Sequence, residues 1–132
     1  MLGTNDSQRF DSPTGPWLVT TEETLRNLGE LRTRTLASDA SRWVWVTPTP
    51  IDETLVAAFP YFRQARIFWT NADIAELSDW LRATDDIVIQ TAPAVASAEP
   101  QPFVDDGLHP SLATQEALAA CVIASLVETT PQ

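Results

Sequence analysis

The sequence predicts an α/β fold, a parallel sheet with helices packed on its faces. Three observations carry that expectation. Two short runs of β-branched and aromatic residues, one around Trp43–Val46 and one at Asp86–Thr91, have the length and composition of buried strands. Three stretches with apolar residues at three- and four-residue spacing read as amphipathic helices. The two kinds of segment alternate along the chain, and strands joined through helices pair in parallel.

Residues 1–16 are rich in Gly, Pro, Asn, Asp and Ser and read as loop after at most two residues of strand. A helix is predicted over 21–37. Thr20 and Glu23 have capping-box spacing, acidic residues fill the first turn, Leu25, Leu28 and Leu31 line one face, and arginines lie near the end. A strand over 42–47 follows, stopped by Thr47-Pro48-Thr49-Pro50. The apolar stretch after it suits a short helix from Asp52 to Phe59, which Pro60 interrupts, and residues 60–70 read as irregular. Asn71 is placed to cap a helix ending near Ala83, with Ile74, Leu77 and Leu81 on one face and Trp80 beside them. Asp86–Thr91 forms the second strand, and Ala92–Pro102, with three prolines, reads as loop. Ser111 then caps a helix running to about Val127, in which Leu118, Cys121, Val122, Ser125 and Leu126 fall at helical spacing. Two strands are few for a parallel sheet, since such a pair leaves its edges unpaired and its helices half uncovered. The sheet is therefore expected to be incomplete, with an exposed edge that favours self-association.

Composition narrows the chemistry. The 132 residues are 44% hydrophobic and 20% charged, an ordinary globular balance with room for one domain. Eight basic against eighteen acidic side chains leave a net charge of −10, which argues against a nucleic-acid partner. No apolar stretch approaches the ~20 residues of a transmembrane helix. A single cysteine, Cys121, and a single histidine exclude a disulfide framework and multi-imidazole metal sites, so a metal would rest mainly on carboxylates. No cofactor is implied.

The histidine stands in Asp105-Asp106-Gly107-Leu108-His109-Pro110-Ser111, just ahead of the last helix. Pro110 disfavours helical geometry at His109 and holds it in extended backbone. Asp106, three residues earlier across a turn that Gly107 eases, can fold its carboxylate onto the imidazole Nδ1–H. That contact fixes the tautomer and frees Nε2 as a base, the part an acid plays in a Ser-His-Asp triad. The plainer reading makes these residues a solvated turn before a helix cap. A second group, Gly3-Thr4-Asn5-Asp6, would put the Asn5 amide on a tight turn after a strand, where it could donate to a developing oxyanion; taken alone it is also an ordinary loop sequence.

Together the two groups are more specific. Gly3-Thr4-Asn5-Asp6 resembles the third conserved block of the SGNH, or GDSL, hydrolases, and Asp106-Gly107-Leu108-His109-Pro110-Ser111 resembles their last block, Asp-x-x-His followed by Pro-Ser and a helix. The spacing between the blocks, the helix after the first and the strand ending in Thr-Pro-x-Pro are similar too, so the resemblance covers essentially the whole chain. The family often has Gly where this helix begins Leu112-Ala113-Thr114-Gln115. What the resemblance implies is a flavodoxin-like, three-layer parallel sheet of about five strands, with ester hydrolysis or acyl transfer at their carboxyl ends. It implies His109 as general base, Asp106 as the acid that orients it and Asn5 as an oxyanion-hole donor, with a small-molecule ester as substrate. The Gly-Asp-Ser block that carries the family's nucleophile is absent, and it would precede Gly3. Met1-Leu2 resembles the end of the family's third strand, so the expectation is a C-terminal part that lacks the N-terminal strands and is inactive alone.

Ser7 and Ser111 are the serines nearest the two blocks, and neither is predicted to occupy the strand-to-helix elbow a nucleophile needs. Five tryptophans, Trp43 and Trp45 among them, could line an acyl pocket, although core packing is their commoner role. Asp85-Asp86 reads as a turn cap and Asp52-Glu53 as a helix start. Two rival readings remain at this point: a non-catalytic remnant of the same fold acting as an interaction module, and an unrelated small α/β domain in which both motifs are coincidental.

Overall fold

The computed structural model describes residues 3–38, 40, 42–98 and 100–128, so the strand end expected at Met1-Leu2 lies outside the described residues. The elements run β1 (Arg9–Phe10), α1 (Thr21–Ala37), β2 (Val44–Val46), α2 (Glu53–Ala58), α3 (Pro60–Ala65), β3 (Ile67–Phe68), α4 (Asn71–Arg82), β4 (Ile87–Ile89), α5 (Ala92–Ser97) and α6 (Leu112–Glu128). The chain is thus α/β in class. β2 and β4 pair in parallel with Val44 opposite Ile87, and β1 and β3 form a separate antiparallel pair with Arg9 opposite Phe68.

Several boundaries follow from local chemistry that the sequence signals. Thr20 Oγ1 accepts from Glu23 N at 3.3 Å and starts α1. Asp52 Oδ1 accepts from Thr54 N and Leu55 N and starts α2. Others correct the expectation. Residues 60–70 are not irregular: Pro60 is the first residue of α3, where its missing N–H costs nothing, and Arg66 at φ 54° ends the helix before β3. Part of the expected loop 92–102 is α5, again with proline in its first turn. Arg9–Phe10 is strand because β3 gives it a partner, which no local signal announces. The cap of α4 is Thr70 rather than Asn71; Thr70 Oγ1 accepts from Asp73 N at 3.2 Å and donates to Asp73 Oδ2 at 2.8 Å. The Asn71 side chain instead clamps Ile51, accepting from its N–H at 2.9 Å and donating to its carbonyl at 3.0 Å.

The core has two centres, and α4 belongs to both. Ile74 packs with Ile51, Val56, Phe62, Trp69 and Leu108, while Leu77 and Leu81 pack with Leu28 and Trp45. The spacing of Ile74, Leu77 and Leu81 puts them on one stripe of the helix, as the sequence suggests. Trp43 and Trp45 meet edge to face at 4.9 Å and pack in the second centre. Asp86 does not cap a turn: its carboxylate takes two hydrogen bonds from Arg32 at 2.6 Å and one from Trp45 Nε1 at 2.8 Å, tying α1 to the sheet. Arg9 makes the matching tie at the other end, bidentate to Asp73 at 2.6 and 2.7 Å and stacked 4.2 Å above Trp17. No helix among the described residues is long and apolar enough to cross a membrane.

Candidate active site

The segment 102–111 is a closed hairpin. Val104 N donates to the His109 carbonyl at 3.0 Å, Gly107 N to the Val104 carbonyl at 2.9 Å and Ser111 N to the Pro102 carbonyl at 3.0 Å. Its base is held by Thr114, a buried first-turn residue of α6 whose hydroxyl donates to the Pro102 carbonyl at 2.5 Å. Its tip leans on α2, where Asp52 N donates to the Gly107 carbonyl at 2.9 Å and Leu108 enters the first core centre. Gly107 has φ +69°, and a Cβ there would meet the Asp52 carbonyl oxygen and Leu55 Cβ at 2.6 Å each. Only glycine lets the hairpin sit this close.

Within this frame Asp106 is saturated. Its Oδ1 accepts from Leu108 N at 2.8 Å and His109 N at 2.9 Å, and its Oδ2 lies 2.6 Å from His109 Nδ1. Burial alone would raise the Asp106 carboxyl, but hydrogen bonds from His109 and Leu108 outweigh it and hold the group below its ordinary value. An ionised carboxylate only accepts, so Nδ1 carries the proton and Nε2 of the neutral ring is the basic nitrogen. The Asp106 side chain is 13% exposed and that of His109 69%, so the acid is enclosed and the imidazole reaches solvent.

Asn5 lies in another turn. Ser7 N donates to the Gly3 carbonyl and Gln8 N to the Asn5 carbonyl, both at 3.1 Å, and Trp69 Nε1 donates to the Thr4 carbonyl at 2.9 Å. Gly3, at φ +101°, is pressed against Leu77 of α4. Asn5 itself is exposed and borders an open depression with Gly3, Thr4, Asp6, Asn27, Leu28 and Leu31. His109 is not part of that depression, and no described hydrogen bond joins Asn5 to the Asp106–His109 pair. The two turns rest on one core centre, since Trp69, which holds the Thr4 carbonyl, packs there with Leu108 of the hairpin.

Neither serine is poised to attack. Ser7 Oγ donates to the Thr4 carbonyl at 2.8 Å, and Ser111 Oγ caps α6, accepting from Thr114 N at 3.3 Å. A feature that the sequence reading missed is a cavity at the carboxyl ends of β2 and β4, bordered by Thr47, Pro48, Asn71, Arg82, Gln90 and Ala92. The signal was available in part, because the loops after parallel strands are where α/β proteins bind ligands. Among the described residues no three His, Cys, Asp or Glu side chains gather as metal ligands. Comparison with family models, with curated proteins and with solved structures finds no match to this chain.

Proposed function

We propose that this chain carries the base and acid of an SGNH-type serine hydrolase acting on a carboxylic ester, within a flavodoxin-like sheet, and that the nucleophilic serine comes from outside these 132 residues. The observation that supports it is the Asp106–His109 pair: a saturated carboxylate holds Nδ1–H at 2.6 Å and turns the second nitrogen outward. In the proposed reaction, His109 Nε2 takes the serine hydroxyl proton as Oγ attacks the ester carbonyl, and Asp106 stabilises the imidazolium. The Asn5 amide donates to the oxyanion. His109 then returns the proton to the departing alkoxide, leaving an acyl-serine, and water activated by the same nitrogen releases the acid.

The 132-residue chain is expected to show no turnover of an activated short-chain ester and no labelling by a fluorophosphonate probe. Stoichiometric labelling at Ser7 or Ser111 would place the nucleophile inside the chain and overturn this assignment. The coding sequence upstream of Met1 is the second arm: an in-frame strand followed by Gly-Asp-Ser supports the hydrolase, and stop codons in that frame remove it. The exposure of His109 favours one alternative, a non-catalytic module of the same fold, because working bases usually sit in enclosed clefts. The same upstream sequence separates the two.

A further inference from the structure

We propose that the cavity at the carboxyl ends of β2 and β4 binds a free aliphatic α-amino acid, a ligand that carries a carboxylate and an ammonium on an apolar body. This inference does not rest on the hydrolase reading, since neither His109 nor Asn5 borders the cavity. One wall is a stripe of α4, where Asn71, Ile74, Ser78 and Arg82 recur at three- and four-residue spacing with Ala75 and Asp79 beside them. The facing wall is Thr47, Pro48 and Pro50 after β2, with Gln90 and Ala92 after β4. Both walls are ordered before any ligand arrives. Thr47 Oγ1 accepts from Thr91 N at 3.0 Å and Thr91 Oγ1 donates to the Pro48 carbonyl at 2.8 Å, which locks the two strand ends together. The Asn71 amide fixes the far end through both backbone groups of Ile51.

Size and charge select the occupant. At about 240 Å³ the cavity holds more than a few waters and less than a drug-sized molecule, which takes about 300–1,000 Å³. Its apolar lining comes from Pro48, Pro50, Ile74, Ala75 and Ala92. The end away from Asn71 carries both signs of charge: Arg82 donates to Asp79 Oδ1 and, through Nη1, to Gln90 Oε1 at 3.4 Å. Gln90 Nε2 and Asp79 Oδ2 have no hydrogen-bond partner among the described residues. The Arg82 and Asp79 side chains are 45% and 64% exposed, and ion pairs so open hold each other weakly, so each can turn to an opposite charge on a ligand. The planar Arg82 fork and the Gln90 amide suit a carboxylate. Asp79 Oδ2 and the lone pairs of Ser78 Oγ, which donates to the Ile74 carbonyl, suit an ammonium. A simple carboxylate would meet Asp79 and a net charge of −10, and a simple amine would meet Arg82. A molecule bearing both charges on one carbon answers both, and its aliphatic side chain covers the prolines and alanines.

Nuclear magnetic resonance titration of the 132-residue chain with L-leucine, isocaproate and isoamylamine tests this, because the three share a hydrocarbon body and differ in charge. L-Leucine is expected to shift the amides of Ser78, Asp79, Gln90 and Ala92 saturably, and each singly charged analogue to bind at least about tenfold more weakly. Arg82→Gln and Ala75→Leu, both at exposed positions of α4, should each weaken leucine binding at least about tenfold, the first by removing the fork and the second by filling the cavity. Unchanged circular dichroism and melting establish that each variant is folded. The absence of a saturable shift up to about 10 mM leucine overturns the proposal. So does isocaproate binding as tightly as leucine, which would assign the cavity to simple carboxylates. Wild-type affinity in a folded Ala75→Leu or Arg82→Gln chain overturns it too, by moving the binding elsewhere.

Discussion

A methyl group on Gly107 would press on the Asp52 carbonyl and on Leu55, both part of or adjoining α2, and the residue would also hold φ +69°. Backbone cannot swing aside as a side chain can, so Gly107→Ala has to shift the hairpin or strain it. We expect it to cost about 1–3 kcal/mol, read as a lower urea midpoint. The same variant should weaken the protection of the His109 Nδ1 proton in nuclear magnetic resonance, because Asp106 reaches the ring only while the turn at Gly107 is closed. The contrast with Asn5 is instructive: its turn is fixed through the backbone and Trp69, which leaves the amide to sample solvent. The residue types of the candidate site were legible in sequence, and the local pairing of Asp106 with His109 followed from three-residue spacing. The distance from either to Asn5 did not, since it depends on how two distant turns dock.

Helices with three turns or more announced themselves, because α1, α4 and α6 each combine a capping residue with apolar periodicity. α3 and α5 did not. Each has six residues, too few for periodicity to register, and in each a proline that reads as a breaker instead occupies the first turn. β1 and β3 are two residues long and exist through their mutual pairing, a tertiary effect without local signature. At α4 the capping signal was present but misassigned by one residue: Thr70 and Asp73 have the reciprocal spacing, and Asn71 merely follows. Thr70→Ala should therefore destabilise the protein by about 1–2 kcal/mol, measured by thermal melting. Asn71→Ala acts elsewhere, releasing the Ile51 backbone that ends the β2 loop.

For the whole molecule, three carboxylates distribute the acid sensitivity. Asp73, against its own burial, is held below its ordinary value by Arg9 and Thr70; Asp86 is held there by Arg32 and Trp45; Asp106 is held by His109 and Leu108. A carboxyl with a folded value below its unfolded one stabilises the fold in full above the unfolded value of about 3.9 and ceases to as pH falls through the folded value. Stability should accordingly be flat from neutrality to about pH 5 and fall steeply below pH 4. Urea midpoints measured down that range check it, and a midpoint that stays constant to pH 3 would contradict the three ties. Net charge falls to zero near pH 4.2, the isoelectric point, and turns positive below it, so mutual repulsion is smallest just above the range where structure is lost.

The span of chain between partners differs sharply across the candidate site. Asp106 and His109 close a loop of three residues, in a hairpin whose ends are already joined by Pro102 and Ser111. Bringing Asn5 beside them, as the proposed hydrolase site requires, would close a loop of roughly a hundred residues, at a far larger entropic cost that only the assembled core offsets. Partial opening of the protein would thus dissolve the three-residue constellation from one side. The imidazole–carboxylate pair should outlast the approach of Asn5, and in hydrogen exchange the amides of Leu108 and His109 should close sooner during refolding than those of the turn at Gly3–Gln8.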